Sequence, residues 1–145
     1  LKENIKKIER MLKEYNSNEI EIRNIELELE ELNNISISSI NSEGEKTSKT
    51  NKIQYTVEQQ LIQKEEKTKK LLNIKNQLNL INRKIDNTLD GLKPKEKQVI
   101  ELRYIELVGY SWGNIARKMD ISEAWARGLK SKGIKKMAHI MFRHS

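Results

Sequence analysis

The residues with the most chemistry to offer lie in the span 111–137, SWGNIARKMDISEAWARGLKSKGIKKM. Nine of them form a candidate DNA-contacting set: Ser122, Glu123, Ala124, Trp125, Arg127, Lys130, Lys132, Lys135 and Lys136. Arginine and lysine donate charge-assisted hydrogen bonds to phosphate oxygens. A glutamate accepts from a cytosine amino group, and an alanine methyl meets a thymine methyl. Arg127 and Lys130 are therefore read as the principal phosphate or base contacts. Lys132, Lys135, Lys136 and Arg143 add backbone contacts, which bring salt dependence rather than specificity. Three roles stand open for Trp125: stacking on a sugar, packing on the N-terminal helices, or meeting a partner.

Two short helices joined by a tight turn are needed to present that set. Trp112, Ile115, Ala116 and Met119 recur at i, i+3, i+4 and i+7, one face of a first helix. Asp120, Ile121 and Ser122 then break the pattern. Aspartate tolerates the left-handed conformation that such a turn demands. Ser122 can accept a hydrogen bond from an orphan backbone N–H and so cap a second helix. Ala126, Leu129 and Gly133 or Ile134 would be its inner face, which leaves an outer face of Glu123, Arg127, Lys130 and further basic residues. A helix of that kind fits the major groove of duplex DNA. Trp112 is read as core, since it shares the inner face of the first helix. Gly128 and Gly133 each weaken a helix interior by about 1 kcal/mol relative to alanine. The second helix is accordingly expected to order on DNA or to end early.

Charge supports an anionic partner for this end of the chain. Residues 91–145 hold twelve basic and five acidic side chains, a net +7, whereas residues 1–35 hold six and nine, a net −3. No cysteine is present, so disulfide and thiolate chemistry are excluded. His139 and His144 lack companion ligands at metal-binding spacing, and no metal or cofactor is expected. No nucleophile, base and acid arrangement stands out, and no phosphate loop of P-loop spacing occurs, so the chain is not expected to be an enzyme. Neither a membrane-spanning run nor a signal-peptide core is found, and a cytoplasmic location is expected.

The remainder reads as helical arms. Ile5, Ile8, Leu12 and Tyr15 space as a heptad seam; Asn16-Ser17-Asn18 interrupts it; Ile22, Ile25, Leu29 and Leu32 resume it. Either one helix continues or two meet at a turn there. Alternation over residues 25–30 is a strand signal, but glutamate and leucine favour helix. Residues 36–54, rich in Ser, Asn, Thr and Lys, read as a flexible loop. Thr56 and Gln59 resemble a capping box that restarts a helix. Leu61, Leu71, Ile74, Leu78, Ile81, Ile85 and Leu89 keep helical spacing from there, with Lys64 and Thr68 marking an exposed beginning. Gly91 is expected to end that helix in the left-handed conformation. Pro94 suits the first turn of the next one, which includes Val99, Ile100, Leu102 and Arg103. The expected fold is all-α, with a helical hairpin over residues 1–90 and a helix-turn-helix bundle over residues 91–145. Whether the hairpin closes within one chain or between two copies is left open by the pattern.

Leu92 to Tyr104, with the string Val99-Ile100-Glu101-Leu102-Arg103-Tyr104, followed by residues 111–137, resembles region 4 of bacterial sigma-70 factors. The full layout resembles small phage-encoded regulators of the ArpU/RinA type. The resemblance implies a sigma-70 region 4-like DNA-binding module, control of late-type phage or prophage genes, and RNA polymerase as a further partner. It also implies that Arg103 ties helices together through an acidic partner. Where sigma factors present Arg, Glu and Gln to the promoter, this chain has Glu123, Ala124 and Gly128, so their sequence preference is not carried over. A DNA-packaging protein like a small terminase subunit also combines such a motif with coiled helices, and is the alternative expectation. So is a module whose contacts are with protein.

Overall fold

The computed structural model describes residues 1–42 and 56–144, with side chains described for residues 1–34 and 56–144. Among the described residues the regular structure is entirely helical. It comprises α1 (Lys2–Ser42), α2 (Val57–Leu89), α3 (Pro94–Ile100), one turn of π-helix (Glu101–Ile105), α4 (Trp112–Met119) and α5 (Glu123–Met141). The alternating stretch 25–30 is helix, as glutamate and leucine propensity argued. Helix α1 also continues through residues 36–42, the first part of the span expected as a loop. Residues 43–54 of that span lie outside the described residues.

Helix ends follow the local chemistry. Thr56 and Gln59 make the reciprocal capping box: the Thr56 N–H donates to Gln59 Oε1 at 3.0 Å and the Gln59 N–H to Thr56 Oγ1 at 3.2 Å. Pro94 occupies the first turn of α3, and the Lys93 N–H donates to Glu96 Oε1 at 3.1 Å. Gly91 does not take the expected left-handed conformation; no glycine has positive φ among the described residues. Helix α2 instead tightens, with the N–H groups of Gly91 and Leu92 donating to the carbonyls of Thr88 and Leu89 at 3.0 and 3.1 Å. Such i→i+3 bonds satisfy the last carbonyls without an αL residue.

The chain packs as two compact units, Leu1–Glu19 with Asn79–Ser145, and Ile20–Leu78. The first unit has a main core of Ile8, Leu12, Ile85, Leu89, Leu92, Ile100, Ile134, Met137 and Ala138. A smaller core of Val99, Leu102, Ile115 and Ala126 lies beneath α4 and the start of α5. The packing therefore does not divide at residue 90 as expected. Ile8 and Leu12 of α1 share one apolar cluster with Ile134 and Met137 of α5, so the basic C-terminal helices complete their core with the first turns of the chain.

Asn18 explains the apparent break in the α1 seam. Residues 8, 15 and 22 keep a heptad, and the buried Asn18 takes a seam position that only a polar side chain marks. Its amide donates to Asn82 Oδ1 at 3.2 Å, and the Asn82 amide donates to the Tyr15 carbonyl and to Glu19 Oε1 at 3.1 and 2.9 Å. One helix continues through the interruption. Tyr15 adds a hydroxyl bond to Asp86 Oδ1 at 2.7 Å. Burial, then that bond and the aspartate charge, push the Tyr15 hydroxyl pKa far up, so it stays a donor.

In the second unit Ile22 and Ile25 are buried, and Lys75 pairs with Glu26 at 3.3 Å. Leu61 is exposed, as Lys64 and Thr68 foretold. No helix among the described residues is long and apolar enough to cross a membrane.

Candidate nucleic-acid interface

The turn between α4 and α5 is closed at both ends by its own residues. Ser111 caps α4, its hydroxyl accepting from the Asn114 N–H at 3.2 Å. Helix α4 ends at Asp120, which has φ 55° and ψ 50°, the one positive φ among the described non-glycine residues. The Asp120 N–H donates to the Arg117 carbonyl at 3.3 Å and the Ile121 N–H to the Ala116 carbonyl at 3.0 Å. That is the Schellman pattern. Ser122 then caps α5, accepting from the Trp125 N–H at 3.0 Å. The Ser122 cap and the left-handed aspartate stand where the sequence reading put them.

Helix α5 is unbroken from Glu123 to Met141, so neither glycine ends it. The two glycines differ in kind. A Cβ at Gly128 would meet nothing within 4 Å, whereas one at Gly133 would fall 2.6 Å from Ile100 Cδ1. Gly133 is what lets α5 approach α3. Ala126, Gly133 and Ile134 face inward as expected, with Leu129 half-buried. Ala124, Gly128, Ser131, Lys132 and Lys135 share the outer face and are exposed.

The candidate contacts sort into two groups. Glu123, Ala124, Arg127, Lys132 and Lys135 are exposed, and neither Lys132 nor Lys135 has an ion-pair or hydrogen-bond partner among the described residues. Lys130 and Lys136 turn toward the protein. Lys130 Nζ lies 3.9 Å from Glu9 Oε1 of α1. Lys136 Nζ lies 3.0 Å from Oε1 of the buried Glu96, which also accepts from the Lys93 N–H. Burial pushes the Glu96 carboxyl up, but the Lys136 and Lys93 hydrogen bonds and charges outweigh it and hold the group below the usual carboxylate range. Lys136 therefore ties α5 to α3. Sequence spacing gave no sign of this, because the partner is 40 residues away.

The tryptophans also divide. Trp125 is 49% exposed, and Lys95 Nζ of α3 lies 4.8 Å from its ring centroid. Trp112 has one edge on the smaller core, as expected, and a second environment the sequence did not reveal. Arg103 Cζ, Arg127 Cζ and Lys130 Nζ lie 4.9, 5.6 and 5.9 Å from its ring centroid. Arg103 has no acidic partner among the described residues. Its Nη1 donates to the Tyr110 carbonyl at 2.9 Å, fixing the loop that leads into α4.

A family model for proteins of unknown function, DUF722, matches residues 4–139. The chain belongs to the DUF722 family. The match runs through both packing units and includes all of the nine candidate contacts, so the exposed α5 face lies within what the DUF722 model describes. No curated protein and no solved structure matches the chain.

Proposed function

We propose that this DUF722 protein is a DNA-binding transcription regulator, phage or prophage encoded, sigma-70 region 4-like, and acting on late-type genes from the cytoplasm. In this reading α4, the Asp120 turn and α5 are a helix-turn-helix, and α1 with α2 is a helical hairpin that supports it and offers a surface for a second copy. The observation that carries the reading is the doubly capped α4–α5 turn with Lys132 and Lys135 exposed on the second helix and without ion-pair or hydrogen-bond partners among the described residues. Small residues Ala124 and Gly128 at the N-terminal half of that face let backbone approach base edges closely, and Lys132 and Lys135 follow toward phosphates.

The test is binding to a labelled DNA library spanning the protein's genomic neighbourhood at two salt concentrations. Tight, site-selective binding is expected. Replacing Arg127, Lys132 and Lys135 together with alanine is expected to weaken binding at least tenfold and to make the salt dependence shallower. Unchanged affinity in that variant would remove the α5 face from the interface. Weak, sequence-blind binding by the parent protein would count against a regulator and favour the packaging reading.

A protein partner such as RNA polymerase is favoured by one further observation. Leu107 and Val108 are 79% and 81% exposed at the tip of the loop before α4. Two neighbouring aliphatic side chains so far out of the core mark a contact surface more often than they serve stability.

A further inference from the structure

We propose that Arg103 and Arg127 converge on Trp112 to form a seat for a single phosphodiester group of duplex DNA. The inference rests on the DNA-binding reading and adds to it a position, since Arg103 and Trp112 are not on the exposed α5 face. Three cations stand within 6 Å of one ring centroid, at 4.9, 5.6 and 5.9 Å. Like charges gathered this closely repel. Of the carboxylates close by, Glu9 lies 3.9 Å from Lys130 Nζ and Glu123 lies against Gly113, and neither makes an ion pair with Arg103 or Arg127. An anion that accepts from both guanidinium groups lowers that repulsion.

Donor bookkeeping agrees. A guanidinium has five N–H donors in a rigid fork. Arg103 commits Nη1 to the Tyr110 carbonyl, and Arg127 commits none to a hydrogen bond among the described residues. The indole holds both by its face and leaves their edges available, the geometry in which arginine receives phosphate oxygens. Arg103 is also positioned in advance. It lies in the π-helical turn, closed by the Glu106 N–H on the Glu101 carbonyl at 2.9 Å, and the Tyr110 N–H donates to the Leu102 carbonyl at 3.1 Å. Trp112 is the first residue of α4, so its neighbourhood also feels the positive end of that helix. The net +7 of residues 91–145 and the exposed Lys132 and Lys135 on the same helix favour the repeating charge of a duplex backbone over an isolated carboxylate.

Phosphate contacts are independent of sequence, so the test uses a mixed-sequence 30-base-pair duplex and the full chain at several salt concentrations. Arg103→Gln, Arg127→Gln and the double variant form a cycle. Each single change is expected to weaken binding roughly threefold to tenfold and to lower the salt slope by about 0.9. The double variant is expected to bind no worse than the weaker single, because one phosphate is lost once. Additive losses would place the arginines on separate phosphates and overturn the seat. Parent-like binding by both single variants would overturn it too, and leave the DNA reading standing. Failure of the parent protein to bind the duplex at 50 mM salt would overturn both. If Arg103→Gln fails to fold, Arg103→Lys takes its place; it keeps the charge and loses the fork, and the same coupling with Arg127→Gln is required.

Discussion

A carboxylate that never reaches solvent decides how α3 and α5 hold together. Glu96 is buried, accepts from Lys136 Nζ and the Lys93 N–H, and its pKa is held below the ordinary carboxylate value. A depressed folded-state pKa means that its stabilisation is fully present above the unfolded value of about 4.3 and is lost as pH falls through the folded pKa. Glu96→Gln is expected to lower stability by about 1–3 kcal/mol at pH 7. The gap between variant and parent in thermal melts should close as pH falls from about 4.3. A gap that persisted undiminished at low pH would show that the carboxylate charge has no part in it. At this scale the sequence was legible wherever chemistry is local. Ser111, Asp120 and Ser122 each act on backbone groups within a few residues, so their types revealed their roles. The ion pairs of Lys130 and Lys136 were not legible, because Glu9 and Glu96 come from elsewhere in the chain, and no spacing rule reports a partner that tertiary packing delivers.

At the scale of elements, the two glycines of α5 give predictions of opposite sign. Gly128→Ala has open space and gains helix propensity, so it is expected to raise stability by about 1 kcal/mol. Gly133→Leu drives a side chain into Ile100, Glu96 and Leu92, and is expected to lower stability by about 1–3 kcal/mol. Chemical denaturation of both variants measures the contrast; equal effects would mean that α5 does not approach α3 as described. The α1 seam teaches a related lesson. Periodicity was judged from apolar residues alone, so Asn18 looked like an interruption when it occupies the seam itself. Asn82→Ala leaves the Asn18 amide and the Tyr15 carbonyl short of a partner, and is expected to cost about 1–3 kcal/mol. Replacing Asn18 and Asn82 together with leucine is expected to recover part of that loss, since it removes the Asn18 amide that would otherwise be buried without its partner. Denaturation midpoints of the single and double variants test this, and a double variant weaker than the single would rule it out.

Across the whole molecule, the all-helical character followed from composition: one proline, few glycines and long 3.6-residue periodicity left little else. The division into units was not legible. Apolar stripes show which face is buried and say nothing about which distant stripe covers it. Residues 91–145 looked self-sufficient because the motif within them is complete, yet their core is finished by Ile8 and Leu12. A fragment limited to residues 91–145 is therefore expected to lack a cooperative thermal transition. In the full chain, Leu12→Ala is expected to cost about 2–5 kcal/mol and to increase amide exchange in α5 as well as in α1. Exchange confined to α1, or a fragment that melts cooperatively, would separate the two ends of the chain.

That shared core has a consequence for biosynthesis. Ile8 and Leu12 leave the ribosome well before Ile134 and Met137, which cover them. At about 5–20 residues per second, the early seam waits on the order of ten seconds for its cover. Until Ile85 and Leu89 emerge it is an amphipathic helix with nothing else of its own core to pack against. The net −3 of residues 1–35 sets such chains to repel rather than to pair through that seam. The unequal distribution of charge would then serve the newborn chain as much as the finished one.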